Sequence, residues 1–147
     1  MASPYPADGP PSGAPGGKTS LGLDSNVGAT LCYIGNIICC LGVILSIVFL
    51  VTEKENRFVK FHALQNLFLT AAYIVLMILV QMLSFVLETA RLGFISFLVS
   101  WGLWIILGVI FLGLWMLAGM KAYGGQWYKL PFIGDLAWNM INKESNT

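Results

Sequence analysis

The chain has 147 residues, of which 57% are hydrophobic and 10% are charged, and its formal net charge is +1. Soluble domains carry roughly a quarter charged residues, so this chain has too little polar surface to cover a water-soluble globule. The near-neutral charge excludes electrostatic nucleic-acid binding as a main activity. The composition therefore predicts a single-domain integral membrane protein with the lipid bilayer as its principal partner.

Residues 1–23 form a tail rich in proline and glycine, and five of the six prolines lie in its first 20 positions. Such a segment buries too little apolar surface to offset the conformational entropy lost on ordering. The tail is predicted to be disordered, and residues 24–143 are predicted to form the membrane domain.

The first apolar run extends from Val27 to Val51. A membrane span needs about 20 apolar residues, so the run predicts one transmembrane helix over 27–51. Small residues recur at steps of three and four and would form a seam on one face of that helix. The seam consists of Gly28, Cys32, Gly35, Cys39, Gly42 and Ser46. Small residues let helix backbones approach closely, so we expect the seam to pack against another helix. Metal ligation by the cysteines is the alternative, but nothing else in the run would complete a zinc site.

The second apolar run, over 61–87, follows a densely charged connection that begins at Glu53 and carries the single histidine. Polar residues on one face of this predicted helix form a stripe. The stripe consists of His62, Asn66, Thr70, Tyr73, Gln81 and Ser84, with Met77 in the gap. Polar groups that face hydrocarbon are costly. The stripe is therefore expected either to hydrogen-bond to the small-residue seam or to line a hydrated path.

The third apolar run, over 92–117, carries an aromatic face that includes Trp101, Trp104 and Phe111. Trp101 suits a membrane interface, whereas Trp104 and Phe111 are expected to pack against other helices. The short connections make neighbouring helices antiparallel. The predicted fold is all-α, with three antiparallel transmembrane helices.

Residues after the third run are aromatic and basic, and a short amphipathic helix is predicted over 131–142. This helix is too short to cross the membrane and is expected to lie in the membrane interface. A re-entrant segment is the alternative. Its basic and aromatic neighbours favour the depth of the lipid headgroups. We therefore expect this segment to fold back over the entrance of the second span, near His62.

With three spans, six of the eight Lys and Arg residues fall on the side of the first connection and the C-terminal segment. Lys and Arg accumulate on the cytoplasmic side. The pattern predicts that the N-terminus lies outside and the C-terminus inside. The membrane is expected to be a bacterial cytoplasmic membrane.

Catalytic signatures are missing from the sequence. It contains no metalloprotease, serine-nucleophile or phosphate-binding motif and no paired carboxylates. We expect no catalytic residues, no cofactor and no metal site, and His62 is expected to be an interfacial hydrogen-bonding residue.

Two runs carry a family resemblance: Glu53-Lys-Glu-Asn-Arg-Phe-Val-Lys-Phe-His-Ala-Leu-Gln65 and Ala122-Tyr-Gly-Gly-Gln-Trp-Tyr-Lys-Leu-Pro-Phe-Ile-Gly134. Together they resemble a family of small bacterial membrane proteins without assigned function. That family is similar to the small multi-span subunit of the chloroplast inner-envelope import translocon and to MamF-type magnetosome membrane proteins. The resemblance implies an interfacial motif made of Arg57, Lys60, His62, Gln65, Trp127, Tyr128, Lys129, Pro131 and Gly134.

Two functions compete. The first is a non-enzymatic scaffold or accessory subunit that acts through helix–helix association, as a homo-oligomer or with another membrane protein. The second is a component of a protein-translocation or small-solute transport assembly, in which the stripe on the second helix is hydrated.

Overall fold

The computed structural model describes residues 17–54 and 56–145, with Cys39 and Ser145 described by their backbone alone. The described chain is helical. Its elements are α1 (Ser25–Cys39), α2 (Leu41–Thr52), α3 (Arg57–Thr89), α4 (Gly93–Tyr123) and α5 (Ile133–Ser145). Most of the predicted disordered tail, residues 1–16, lies outside the described residues. Residues 17–23 form a turn in which the Thr19 amide donates to the Leu23 carbonyl at 2.7 Å.

The first apolar run is not one helix, so the prediction of a continuous span over 27–51 is wrong. The backbone turns at Cys40, whose φ of 44° lies in the left-handed region, and α2 returns alongside α1. A Cβ added at Gly42 would lie 2.1 Å from the Cys32 carbonyl oxygen, and one added at Gly28 would lie 3.2 Å from the Phe49 ring. Residues near the two ends of the run are therefore neighbours, and α1 and α2 form a helical hairpin.

The long helices α3 and α4 are the two that are long and apolar enough to cross a membrane. They are joined by a three-residue turn and run in opposite directions, because early residues of one contact late residues of the other. Tyr73 packs on Phe111 and Trp115 with ring centroids 5.0 and 5.5 Å apart. Near the turn, the Ser96 hydroxyl donates to the Ser84 carbonyl at 3.1 Å.

The hairpin covers only one half of the α3–α4 pair. The Asn36 amide, one turn before the hairpin tip, donates to the Thr70 hydroxyl at 2.9 Å, close to the middle of α3. We call the half of the pair beside the hairpin the proximal half. The other half, comprising α3 after residue 73 and α4 before residue 110, is called the distal half; most of its large apolar side chains are exposed.

Candidate functional site: the polar cluster of the proximal half

A chain of neutral hydrogen bonds joins α1, α3 and the segment that precedes α5. The His62 Nε2–H donates to the Gln126 carbonyl at 3.1 Å, because a carbonyl can only accept. His62 Nδ1 is then the acceptor for the Tyr33 hydroxyl, also at 3.1 Å. Both side chains are fully buried. His62 is therefore a buried hydrogen-bonding residue between α1, α3 and the segment before α5, and its predicted position at the membrane interface stays a prediction.

Gln65 extends this chain. Its Nε2 donates to the Tyr33 hydroxyl at 3.0 Å and to the Tyr128 carbonyl at 3.1 Å. Its Oε1 accepts from the Leu130 amide at 3.2 Å. Buried polar groups are costly unless they are paired, and α3 side chains pair the Gln126 and Tyr128 carbonyls and the Leu130 amide, whereas the buried Trp127 Nε1 has no partner among the described residues. The Gln65 amide thereby fixes an extended stretch of backbone that has no secondary structure of its own.

Aromatic side chains surround this cluster and attach α5 to α3. Trp127 packs edge-on against Phe58 and Trp138, with ring centroids 5.2 and 5.6 Å apart. Phe61 lies 5.9 Å from the Trp138 ring. The two sequence runs that carry the family resemblance thus meet in one cluster, as the expected fold-back of the C-terminal segment requires.

The remaining residues of the predicted interfacial motif lie around the rim of the cluster. Arg57 donates to the Ile141 carbonyl at 3.2 Å, and Lys60 pairs with Glu144 at 2.8 Å. The Lys129 ammonium lies 4.4 Å from the centre of the Trp138 ring.

Three further motif residues shape the backbone and surface beside α5. Tyr128 lies beneath Lys121, whose ammonium is 5.9 Å from the centre of its ring. A Cβ at Gly134 would come within 2.6 Å of Lys129, so this close approach requires glycine. Pro131, predicted to lie in the first turn of the helix, instead precedes α5 by two residues.

The predicted small-residue seam is folded on itself. A Cβ at Gly42 would lie 2.1 Å from the Cys32 carbonyl oxygen, and a Cβ at Gly35 would lie 2.6 Å from the Gly42 backbone nitrogen. The seam joins the two arms of the hairpin because small residues permit close backbone approach. At one end of the seam, a Cβ added at Gly28 would lie 2.9 Å from Thr19 and 3.2 Å from the Phe49 ring. The side chain of Cys39 is not among those that the structure describes.

The predicted polar stripe divides into two parts. In the proximal half, Asn66 donates to the Ser46 hydroxyl at 2.9 Å and to the Gly42 carbonyl at 3.3 Å, and it accepts from Asn36 at 2.8 Å. Thr70 accepts from the same Asn36 amide. These contacts support the packed interpretation of this part of the stripe, with hydrogen bonds to the hairpin.

The distal part of the stripe is different. Ser84 contacts Ser100 between α3 and α4, whereas Gln81 is exposed and has no hydrogen-bond partner among the described residues. Gln81 lines two neighbouring grooves of about 610 and 600 Å³. Trp104, expected to pack in the interior, is 53% exposed and lines both.

Several residues in these contacts were not singled out from the sequence. Tyr33 and Asn36 lie three positions apart in the first apolar run, and this helical spacing of two polar side chains was the available signal. Ser96 and Ser100, four positions apart on α4, gave a similar signal. Within the described residues, no group of three or more His, Cys, Asp or Glu side chains is placed to hold a metal ion.

Comparison with known proteins identifies the family. A family model described as the magnetosome magnetite crystal formation protein family, MamF/MmsF, matches residues 24–137. The chain belongs to this family. The expected similarity to MamF-type proteins is thereby confirmed, and the match includes both runs of the polar cluster as far as Ala137.

Curated relatives of this MamF/MmsF-family chain are archaeal. The chain is 41% identical over 124 residues to a UPF0132 membrane protein of Methanocaldococcus jannaschii, covering 82% of this chain and 92% of the relative. It is 34% identical over 121 residues to a UPF0132 membrane protein of Archaeoglobus fulgidus, covering 81% and 97%. No solved structure matches the chain. The names of these relatives and the two long apolar helices agree that this is a membrane protein.

Proposed function

We propose that the protein is a non-enzymatic membrane scaffold that associates with a second copy of itself through the distal half of α3 and α4. The observation that carries this proposal is the exposed, unpartnered amide of Gln81. It lies seven residues, about 10 Å along a helix, from the first charged residue, Glu88. Exposed apolar side chains, including Met82, Phe85 and Val86, lie between them, so the proposal places the amide at the depth of the hydrocarbon. One of its two grooves also contains the polar side chains of Ser84, Glu88 and Ser100.

An unpaired amide in hydrocarbon favours association with another helix. Interhelical hydrogen bonds of this kind contribute about 0.6–2 kcal/mol each in membranes. A second copy brings the same Gln81 to a two-fold axis, where each amide donates to and accepts from the other. The grooves on either side of Gln81 provide room for the apolar side chains of the partner helix. The seam of small residues is already used inside the hairpin, so it is not the associating surface.

The proposed topology is two spans, α3 and α4, together with a re-entrant hairpin of α1 and α2. The Asn56 amide contacts Ser25 and, at 3.4 Å, the Lys18 carbonyl, so the start of α1 lies on the same side as the start of α3. The proposed arrangement therefore puts the start of the membrane domain on the side of the first connection, whereas the sequence predicted it on the opposite side. One side then carries Lys18, Lys54, Arg57, Lys60, Lys121, Lys129 and Lys143, and the other carries Arg91. By the positive-inside tendency, both ends of the membrane domain face the cytoplasm.

Transport or translocation, including a relation to the import translocon, is the function that the geometry favours less. A hydrated path along α3 needs free polar groups from His62 to Ser84. In the proximal half, His62, Asn66 and Thr70 are instead paired with α1, α2 and the segment before α5.

Cysteine crosslinking in native membranes tests the proposal. With the three native cysteines replaced, Gln81→Cys should form a disulfide between two copies, and Gln81→Leu should weaken association. The matched control is Leu83→Cys, which is also exposed on the distal half of α3 but lines neither groove. The proposal would be contradicted if Gln81→Cys formed no crosslinked dimer, or if Gln81→Cys and Leu83→Cys crosslinked equally.

A further inference from the structure

The number of helices differs between the two halves of the molecule. The proximal half contains α1, α2, α3 and α4 side by side, because α1 packs against both long helices and α2 packs against α1 and α3. Beyond the hairpin tip at Cys40, the described chain contains α3 and α4 alone. The membrane domain is therefore broad on one side of the bilayer and narrow on the other.

The difference in cross-section is substantial. A helix is about 10 Å across, so the two arms of the hairpin add about 160 Å² to one leaflet. The arms are about 22 and 18 Å long at 1.5 Å per residue, shorter than the hydrocarbon thickness of about 30 Å. Both arms also have their outer ends at the same surface, since a Cβ added at Gly28 would lie 3.2 Å from the Phe49 ring. Because the hydrocarbon of one leaflet is about 15 Å thick, the arms fill the leaflet of their outer ends and extend at most about 3–7 Å into the other.

The interfacial part of the molecule widens the same side. Residues 126–130 and α5 lie against the start of α3, where Gln65 and His62 hold the backbone of the connecting segment. Phe132 projects from the turn before α5 with 92% of its surface exposed. An amphipathic helix at this depth adds area at the headgroup level of the leaflet that already contains the hairpin.

We infer that the protein is a one-leaflet wedge that favours curved membrane, with the surface that carries the hairpin and α5 on the convex side. Additional area in one leaflet is accommodated with least strain where that leaflet is expanded relative to the other. Because this surface is the basic one, the convex side in the cell is the cytoplasmic side. The inference depends on the shape of a single copy and does not require association through Gln81.

The distribution of lysines provides a direct assay. All six lysines lie on the hairpin side, at positions 18, 54, 60, 121, 129 and 143. The purified full-length protein is reconstituted at low density into small sonicated and large extruded vesicles of one zwitterionic phospholipid. A membrane-impermeant amine reagent that labels lysines from outside then reports the orientation. Neutral lipid removes the attraction between basic side chains and anionic headgroups.

The wedge predicts that the ratio of outside-facing to inside-facing lysines is several-fold higher in small vesicles than in large ones. An equal ratio in the two vesicle sizes, or a preference for the inside in small vesicles, would overturn the inference. Two glycine substitutions provide a matched comparison. Gly42→Leu forces the arms of the hairpin apart and should abolish the size dependence, whereas Gly102→Leu, which meets nothing within 4 Å, should preserve it. The wild-type comparison decides the inference even if Gly42→Leu fails to insert.

Discussion

Gln65 uses both its amide hydrogens and its carbonyl oxygen to hold three segments together at the start of α3. Each of its partners is a buried or half-buried polar group. His62 completes the chain by joining Tyr33 to the Gln126 carbonyl. The histidine and the glutamine of the family run thus hydrogen-bond the backbone of the segment before α5.

Replacing Gln65 with leucine keeps the size of the side chain but leaves the Leu130 amide and the Tyr128 carbonyl without partners. An unsatisfied buried group costs about 1–3 kcal/mol, so Gln65→Leu should lower the free energy of unfolding by about 3 kcal/mol. Unfolding by denaturing detergent, followed by circular dichroism, measures the change. Gln81→Leu is the matched control and should leave the stability of the monomer unchanged. Equal destabilisation by the two substitutions would show that the Gln65 contacts contribute little.

At the scale of elements, α5 is attached mainly by aromatic packing rather than by its ion pair. Trp138 is 6% exposed and lies against Phe61 and Trp127. The ion pair of Lys60 and Glu144 is open to solvent on one side, because the Glu144 side chain is 64% exposed whereas that of Lys60 is 11% exposed. Exposed ion pairs contribute about 0–1 kcal/mol, whereas truncation of a packed tryptophan costs about 3–5 kcal/mol.

Trp138→Ala should therefore release α5 while the two long helices stay folded, because within the described residues α5 packs on no helix other than α3. Hydrogen exchange should increase over 133–145 and stay slow in the centres of α3 and α4. Glu144→Gln should leave the exchange of α5 nearly unchanged. Faster exchange of α5 in Glu144→Gln than in Trp138→Ala would show that the ion pair contributes more to holding α5 than the aromatic packing does.

The sequence predicted some elements well and one element wrongly, for identifiable reasons. Long apolar runs and short polar connections located α3 and α4, and amphipathic spacing located α5 within about three residues. The hairpin was missed because 27–51 is long enough to span and Cys40, where the chain reverses, is neither glycine nor proline. The seam residues were recognised from their spacing, but periodicity within one run does not show whether that run packs against another helix or against itself.

The proposed topology depends on the hairpin. An odd number of spans separates the two ends of the membrane domain, whereas two spans and a re-entrant hairpin keep both ends on one side. Reporter domains active only in the cytoplasm should be functional when fused to either end of the chain. The same reporter inserted in the 90–92 turn should be inactive. A reporter that is active at only one end of the chain would contradict the proposed topology and favour three spans.

A disulfide between the two arms of the hairpin tests most directly whether α1 and α2 fold back on each other. The variant keeps Cys32, introduces Ser46→Cys, and carries Cys39→Ala and Cys40→Gly; glycine suits the positive φ at position 40. In a straight helix, positions 32 and 46 are about 21 Å apart, and a disulfide requires Cα atoms within about 7 Å.

The hairpin predicts that a membrane-permeant oxidant forms this bond within one chain, detected as a mass loss of two hydrogens in the monomer. The control, Ile47→Cys in place of Ser46→Cys, places the thiol at an exposed neighbouring position and should remain reduced. A properly inserted protein in which positions 32 and 46 never crosslink would contradict the re-entrant hairpin and, with it, the proposed topology and the wedge.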